Sequence, residues 1–177
     1  MYTDLNTYKP FEHENFDSKN KILNYARIQD KTKVEGAFTA TLIYTNLVDY
    51  LARHLLEHLN KMTTISMFRQ FGGIIYYDTS RKKANVSLGS LCNELQYYEF
   101  PSKIDLMKDL SDFNKLRNQV IHNLMKLNLN APSTQFDTDL GRISKLAEEI
   151  LTKYNTITAG IATIWNAANS VAPENKS

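Results

Sequence analysis

The sequence predicts an all-α fold, an up-and-down helical bundle with a small hairpin or loop insertion at about residues 63–86. Apolar residues recur at three- and four-residue spacing through several long segments, the pattern of helices that bury one face. One such segment, at about residues 32–62, contains no proline. A chain of 177 residues with 42% hydrophobic residues is also long enough to bury the core of one domain.

The N-terminal part predicts an arm followed by a first helix. Residues 1–14 are polar, contain Pro10 and lack periodicity, so we expect a flexible arm. The helical spacing then begins and predicts a first helix at about residues 15–29. Its expected inward-facing residues are Phe16, Ile22, Leu23 and Ala26.

The second predicted helix is long and covers about residues 32–62. Its expected apolar stripe consists of Val34, Phe38, Thr41, Leu42, Val48, Leu51, Leu55 and Leu59. Asp49 flanks this stripe. Its carboxylate is therefore placed to meet a cation from a neighbouring helix.

Residues 63–86 differ in pattern from the helical segments. Two strand-like runs, at residues 65–71 and 74–77, are separated by Gly72 and Gly73. A two-glycine spacer is typical of a tight β-hairpin. The alternative is a loop that covers the helices.

Two further helices are expected after this insertion. The third is short, is capped by Ser87 or Ser90, and ends at about Tyr98. The fourth begins at Ser102, which has the spacing of a capping box with Asp105.

The fourth helix is expected to end near Asn128, before a loop at residues 130–135. A last helix follows at about residues 137–168. Its apolar residues form a coiled-coil-like seam, expected to pack against the core or a second subunit. They are Leu140, Ile143, Ala147, Ile150, Tyr154, Ile157, Ile161 and Ile164. We expect residues 15–170 to form a single helical domain and residues 171–177 a disordered tail.

Composition restricts the class of protein. The net charge of +2 permits contact with nucleic acid without predicting it. Cys92 is the only cysteine, which excludes an internal disulfide and a cysteine-based zinc site. No run approaches the ~18 apolar residues that cross a membrane, and the N-terminus lacks the features of a signal peptide. We therefore expect a cytoplasmic protein that does not enter membranes.

Arg117 occupies an unusual position in the fourth helix. It falls at the centre of an apolar stripe formed by Leu106, Leu110, Phe113, Val120, Leu124 and Leu127. A guanidinium remains charged and is costly to bury without a partner. Arg117 therefore requires a carboxylate, an anionic ligand or a hydrated subunit interface, and Asp49 is the candidate carboxylate.

The residues Arg117-Asn118-x-x-x-His122 resemble the signature of the HEPN family, the higher eukaryotes and prokaryotes nucleotide-binding domains. That signature is an arginine, four to six further residues and a histidine, usually with a polar residue directly after the arginine. The helix start at residues 87–91, Ser-Leu-Gly-Ser-Leu, is also similar to the family. The resemblance extends over roughly residues 15–165.

The resemblance implies a metal-independent RNA endonuclease with no cofactor, acting as a homodimer with a composite site. His122 would transfer a proton, Arg117 would stabilise the charged phosphorane, and Asn118 would orient the imidazole, leaving a 2′,3′-cyclic phosphate. Residues five apart on a helix point about 140° apart, so one chain does not bring Arg117 and His122 together. The implied biological role is a toxin or phage-defence effector restrained by an inhibitory partner protein. The alternative is a non-catalytic module that binds a nucleotide or a partner.

A rival pattern lies in the second helix. Residues 54–58, His-Leu-Leu-Glu-His, match the inverted zinc-peptidase motif. His54 and His58 would then bind zinc and Glu57 would act as the base. We rank this interpretation third, because those enzymes are much larger and require another carboxylate ligand.

Overall fold

The computed structural model describes residues 8–12, 15–71, 87–126 and 134–170. These residues contain helices and no strand, so the predicted all-α class is confirmed for them. None of the described helices is both long enough and apolar enough to cross a membrane. The helices are α1 (Phe16–Arg27), α2 (Val34–Phe71), α3 (Leu88–Leu95), α4 (Lys103–Lys126) and α5 (Thr134–Ser170).

The two longest helices, α2 and α5, run in the same direction. Tyr44 bonds to Ser144 with 2.9 Å between the hydroxyl oxygens, and His54 Nδ1 lies 2.6 Å from the Tyr154 hydroxyl. The residues of each pair are 100 positions apart in the sequence, so the two helices are parallel.

Helix α4 is antiparallel to α5. Lys153 Nζ donates to Asp109 Oδ2 at 2.5 Å, and Gln119 Nε2 donates to Asp139 Oδ2 at 3.2 Å. Asp109 precedes Gln119 on α4, whereas their partners on α5 occur in the reverse order. This antiparallel pair, together with α2, gives the up-and-down arrangement.

One hydrophobic core lies where α2, α4 and α5 meet, and α1 and α3 cover its sides. Burying each large apolar side chain stabilises the fold by about 1.5–3 kcal/mol. The largest fully buried side chains are Tyr44, Tyr154, Phe113, Leu51, Leu55, Ile65, Leu88, Leu91, Leu95, Leu106, Leu110 and Leu140.

Helix α2 is longer than predicted and ends at Phe71. The prediction of a strand or loop at residues 63–71 is therefore wrong. Ile65 is only 1% exposed, because it continues the three-residue spacing of Leu59 and Met62 along the buried side of the helix. Residues 72–86, which include the remainder of the predicted hairpin, lie outside the described residues.

The predicted apolar faces of α1 and α2 are confirmed at most positions and wrong at three. The predicted residues of α2 that are buried are Thr41, Val48, Leu51, Leu55 and Leu59. Leu23 and Ala26 are buried as expected, but Ile22 is 45% exposed. Phe38 and Leu42 are also largely exposed. In this part of α2 the predicted Thr41 is buried together with two small residues that the prediction omitted, Ala37 and Ala40. The side chain of Val34 is outside the described part of the chain.

The apolar seam of α5 packs against this chain's own α2 and α4. Every predicted seam residue is buried except Ile164, which is 61% exposed. The seam therefore belongs to the core and is not an open surface for a second subunit.

Helix starts agree with the prediction at α3 and differ at α4. Ser87 caps α3, since its hydroxyl accepts from the backbone N–H of Ser90 at 3.3 Å. Ser102, the predicted capping residue of α4, has a φ of 56°. A capping box requires extended backbone at its first residue, so the predicted box with Asp105 is wrong.

Residues 8–12 pack against α2 and α5, although they belong to the predicted flexible arm. Phe11 is only 8% exposed, and the Trp165 indole N–H donates to the Tyr8 carbonyl at 3.0 Å. Two aromatic residues, Tyr8 and Phe11, anchor this segment against His58 without any periodic pattern. Residues 1–7, 13–14 and the predicted tail at 171–177 lie outside the described residues.

Candidate functional site

Arg117 points from α4 toward α2, and its side chain is only 14% exposed. Its Nη1 lies 3.4 Å from Asp49 Oδ1, and its Nη2 donates to Asn114 Oδ1 at 2.7 Å. The predicted ion pair with Asp49 is thus confirmed. The pair joins the two helices beside the start of α3.

The guanidinium is incompletely satisfied. Charged N–H groups usually approach a carboxylate to about 2.7–2.9 Å, so the 3.4 Å contact with Asp49 is long. Arg117 Nε is buried and has no hydrogen-bond partner among the described residues. Arg117 therefore retains donor capacity that its contacts with Asp49 and Asn114 do not use.

Two opposing influences act on the pKa of the Asp49 carboxyl group. Burial raises the pKa of its carboxyl, while the guanidiniums of Arg117 and Arg53 lower that pKa, and burial is the larger cause. Burial and the Asp49 charge raise the pKa of the nearby Cys92 thiol to about 11. The thiol is therefore protonated at neutral pH and is a poor nucleophile.

Asn118 and His122 are exposed, in contrast to Arg117. They are four residues apart on α4 and share one face of the helix. Their side chains are open to a ligand in solution. Within one chain, however, the structure does not bring His122 to Arg117.

Asn114 is a member of this site that the sequence interpretation missed. It lies three residues before Arg117, and side chains at that spacing are neighbours on a helix. A Cβ added to Gly89 at the start of α3 would lie 3.7 Å from Asn114 Nδ2. The two segments that resemble the HEPN family are therefore neighbours in the fold.

The histidines of the zinc-peptidase pattern are engaged with each other and with phenols. His54 Nε2 lies 3.2 Å from His58 Nε2, and the Nδ1 atoms contact Tyr154 and Tyr8. Glu57 is exposed. Among the described residues, no group of three or more His, Cys, Asp or Glu side chains is arranged to bind a metal ion. The structure thus lends no support to a peptidase centre here.

A scan against models of known protein families gives no match, and searches of the curated proteins and of the solved structures give none either.

Proposed function

We propose that this chain is a HEPN-like, metal-independent RNA endonuclease whose site combines Arg117, Asn118 and His122. The observation that carries the proposal is their arrangement on α4. Asn118 and His122 are exposed on one face, directly after an arginine that Asp49 and Asn114 hold in place. The proximity of Gly89, at the start of α3, to Asn114 gives additional support, because it places the two resembling segments side by side.

The proposed reaction uses the nucleophile that RNA itself carries. The 2′-oxygen forms a bond to phosphorus, and the bond from phosphorus to the 5′-oxygen breaks. One His122 takes the proton of the 2′-hydroxyl, and a second delivers a proton to the departing 5′-oxygen. Arg117 stabilises the negative charge of the phosphorane, and the product carries a 2′,3′-cyclic phosphate.

A homodimer would supply the second His122 that the proposed reaction requires. A two-fold interface that included the exposed face of α4 would place two copies of His122 in one cleft. Arg117 points away from that face toward Asp49 of α2, so its side chain would have to leave this ion pair to reach a phosphate in the cleft. The site would be incomplete in a single chain.

The role proposed for such an enzyme is that of a cytoplasmic toxin or phage-defence effector. RNA cleavage without a metal requirement would damage the producing cell unless it were restrained. An inhibitory partner protein that covers the exposed face of α4 around His122 would supply that restraint.

The test is incubation of the purified protein with total RNA in the presence of EDTA. We expect cleavage to persist in EDTA and the products to end in 2′,3′-cyclic phosphates. His122→Ala should lower the rate by ~10²–10⁴-fold while leaving the helical content unchanged, because a general acid–base contributes about that much.

The matched control is Lys145→Ala, which removes an exposed cation from α5 and should cut RNA at the wild-type rate. Loss of cleavage in EDTA would contradict the metal-independent mechanism. A purified wild-type protein that bound RNA without cutting it would favour the non-catalytic binding module. The specific observation that favours that alternative is the existing ion pair of Arg117 with Asp49.

A further inference from the structure

A chain of hydrogen bonds links the N-terminal segment to α5 through α2. The Tyr8 hydroxyl lies 2.5 Å from His58 Nδ1, and His58 Nε2 lies 3.2 Å from His54 Nε2. His54 Nδ1 then lies 2.6 Å from the Tyr154 hydroxyl. All four imidazole nitrogens are therefore engaged, away from the Arg117 site.

The contact between the two imidazoles limits how many protons the pair can hold. A hydrogen bond between two ring nitrogens needs one N–H group and one lone pair. The neutral pair satisfies this, and so does the pair with one added proton. A second added proton places an N–H on both Nε2 atoms, and the bond between His54 and His58 is then lost.

Residues 8–12, here called the N-terminal strap, cover this pair. The Phe11 ring centroid lies 4.2 Å from that of His58 and 6.0 Å from that of His54. Phe11 has a φ of 61°, a left-handed conformation that costs energy in a residue other than glycine. The strap therefore keeps this conformation only while its packing and hydrogen bonds hold it.

Titratable groups from each adjoining element face the two imidazoles. They are Tyr8 of the strap, Lys19 of α1, Tyr50, Glu57 and Lys61 of α2, and Tyr154 of α5. The two lysines oppose the uptake of protons by the pair, and Glu57 favours it.

These surroundings keep both histidines neutral at neutral pH. Burial, followed by the charge of Lys19, lowers the pKa of His54, and the Glu57 carboxylate opposes that shift. Burial, His54 and Lys61 lower the pKa of His58 from 6.5 to about 4. Both rings therefore retain the lone pair that the hydrogen-bond chain requires.

We propose that His54 and His58 form an acid-operated latch, which releases the N-terminal strap from α2 and α5 when the pair becomes doubly protonated. Release removes the Tyr8–His58 bond and uncovers Trp165, whose N–H now donates to the Tyr8 carbonyl. Docking of the strap lowers the pKa of the histidine. The histidine therefore contributes its full stabilisation of the docked state at pH values above the pKa that it has when the strap is released. That contribution is lost as the pH falls from about 6.5 toward about 4.

Trp165 reports the release, because it is the only tryptophan in the sequence and only 8% exposed. We expect its fluorescence to shift to longer wavelength between about pH 6.5 and about pH 4, while the far-ultraviolet circular dichroism of the helices stays constant. An unchanged emission, or a shift that coincides with loss of helix, would overturn the proposal.

Two variants separate the latch from general acid effects. His58→Gln should abolish the acid-dependent shift, since its side chain does not titrate. Tyr8→Phe should move the midpoint to higher pH, because a less stable docked state is released by fewer protons. The control is His122→Gln, which removes an exposed histidine and should leave the transition in place.

The proposal fails if His58→Gln keeps the wild-type transition or if Tyr8→Phe leaves the midpoint unmoved. His54→Gln provides an independent variant if His58→Gln has reduced helical content. It should also lose the transition, and a wild-type transition in it would count against the latch.

Discussion

Arg117 connects α4 to α2 by an ion pair, and its loss leaves the partly buried carboxylate of Asp49 with the smaller electrostatic effect of Arg53. We expect Arg117→Ala to lower the free energy of unfolding by about 1–3 kcal/mol, below the range for fully buried pairs, because Asp49 is 30% exposed. The loss should be smaller at acid pH, where protonated Asp49 needs no countercharge. Urea unfolding followed by circular dichroism measures both values.

Arg117→Lys separates packing from catalysis in the same position. Lysine keeps the charge near Asp49 but lacks the planar fork that bonds to Asn114 and would grip a phosphate. We therefore expect it to recover much of the stability and little of the RNA cleavage per folded molecule. A Lys variant that cut RNA at the wild-type rate would remove the proposed role of Arg117.

At the scale of the element, two glycines within helices offer a matched comparison. A Cβ on Gly36 of α2 would overlap the Asp30 carbonyl oxygen and lie 2.7 Å from the carbonyl carbon. A Cβ on Gly141 of α5 would meet nothing within 4 Å. Gly36 therefore allows the turn before α2 to pass close to the helix.

We expect Gly36→Ala to destabilise the protein by about 1–3 kcal/mol, because the turn must move away. Gly141→Ala should stabilise it by about 0.5–1 kcal/mol, because alanine loses less conformational freedom in a helix. Thermal unfolding of both variants tests the pair. Equal effects of the two substitutions would contradict the close approach at Asp30.

Helical periodicity predicted where the helices lie in the sequence more reliably than it predicted which side of each helix is buried. The seam of α5 followed from spacing alone because its apolar residues form a single narrow stripe. Helix α2 has apolar residues on more than one side, so the positions of its neighbours decide that Phe38 is exposed and Ala37 buried. The run at residues 65–71 is too short and too rich in aromatic residues for periodicity to separate strand from helix.

The part of the candidate site that could be predicted is the ion pair, because the charge of a buried arginine requires a partner. An arginine on an apolar stripe needs a carboxylate, and Asp49 on α2 supplied it. The contact of Asn114 with Arg117 was also predictable, because side chains three residues apart are neighbours on a helix. The contacts of the N-terminal strap were not predictable, because Tyr8 and Phe11 meet His58 through tertiary packing that leaves no periodic signal.

At the scale of the whole molecule, the proposed composite site makes cleavage a property of two chains. His122→Ala should be inactive alone, and its refolding in an equal mixture with the wild-type protein should lower the rate to about a quarter of that of wild-type protein at the same total concentration. Only about a quarter of randomly paired dimers then carry both copies of His122, although half of the chains are wild-type. Unfolding and refolding the two proteins together, followed by an RNA assay, measures the loss.

Refolding the wild-type protein in an equal mixture with Lys145→Ala is the control and should keep the full rate. Light scattering of the wild-type protein should report a dimer. A monomer, or a refolded mixture that keeps about half of the wild-type rate, would exclude a site shared between chains.

The parallel arrangement of α2 and α5 also has a consequence for how the chain folds. Their contacts join residues 100 apart, as in Tyr44 with Ser144, whereas α4 and α5 meet through pairs as close as Gln119 and Asp139. Closing a longer loop costs more conformational entropy, so distant contacts form later. We expect the α4–α5 hairpin to assemble first and α2 to dock onto it afterwards. The ion pair of Arg117 with Asp49, which bridges α4 and α2, would then form only in this last step.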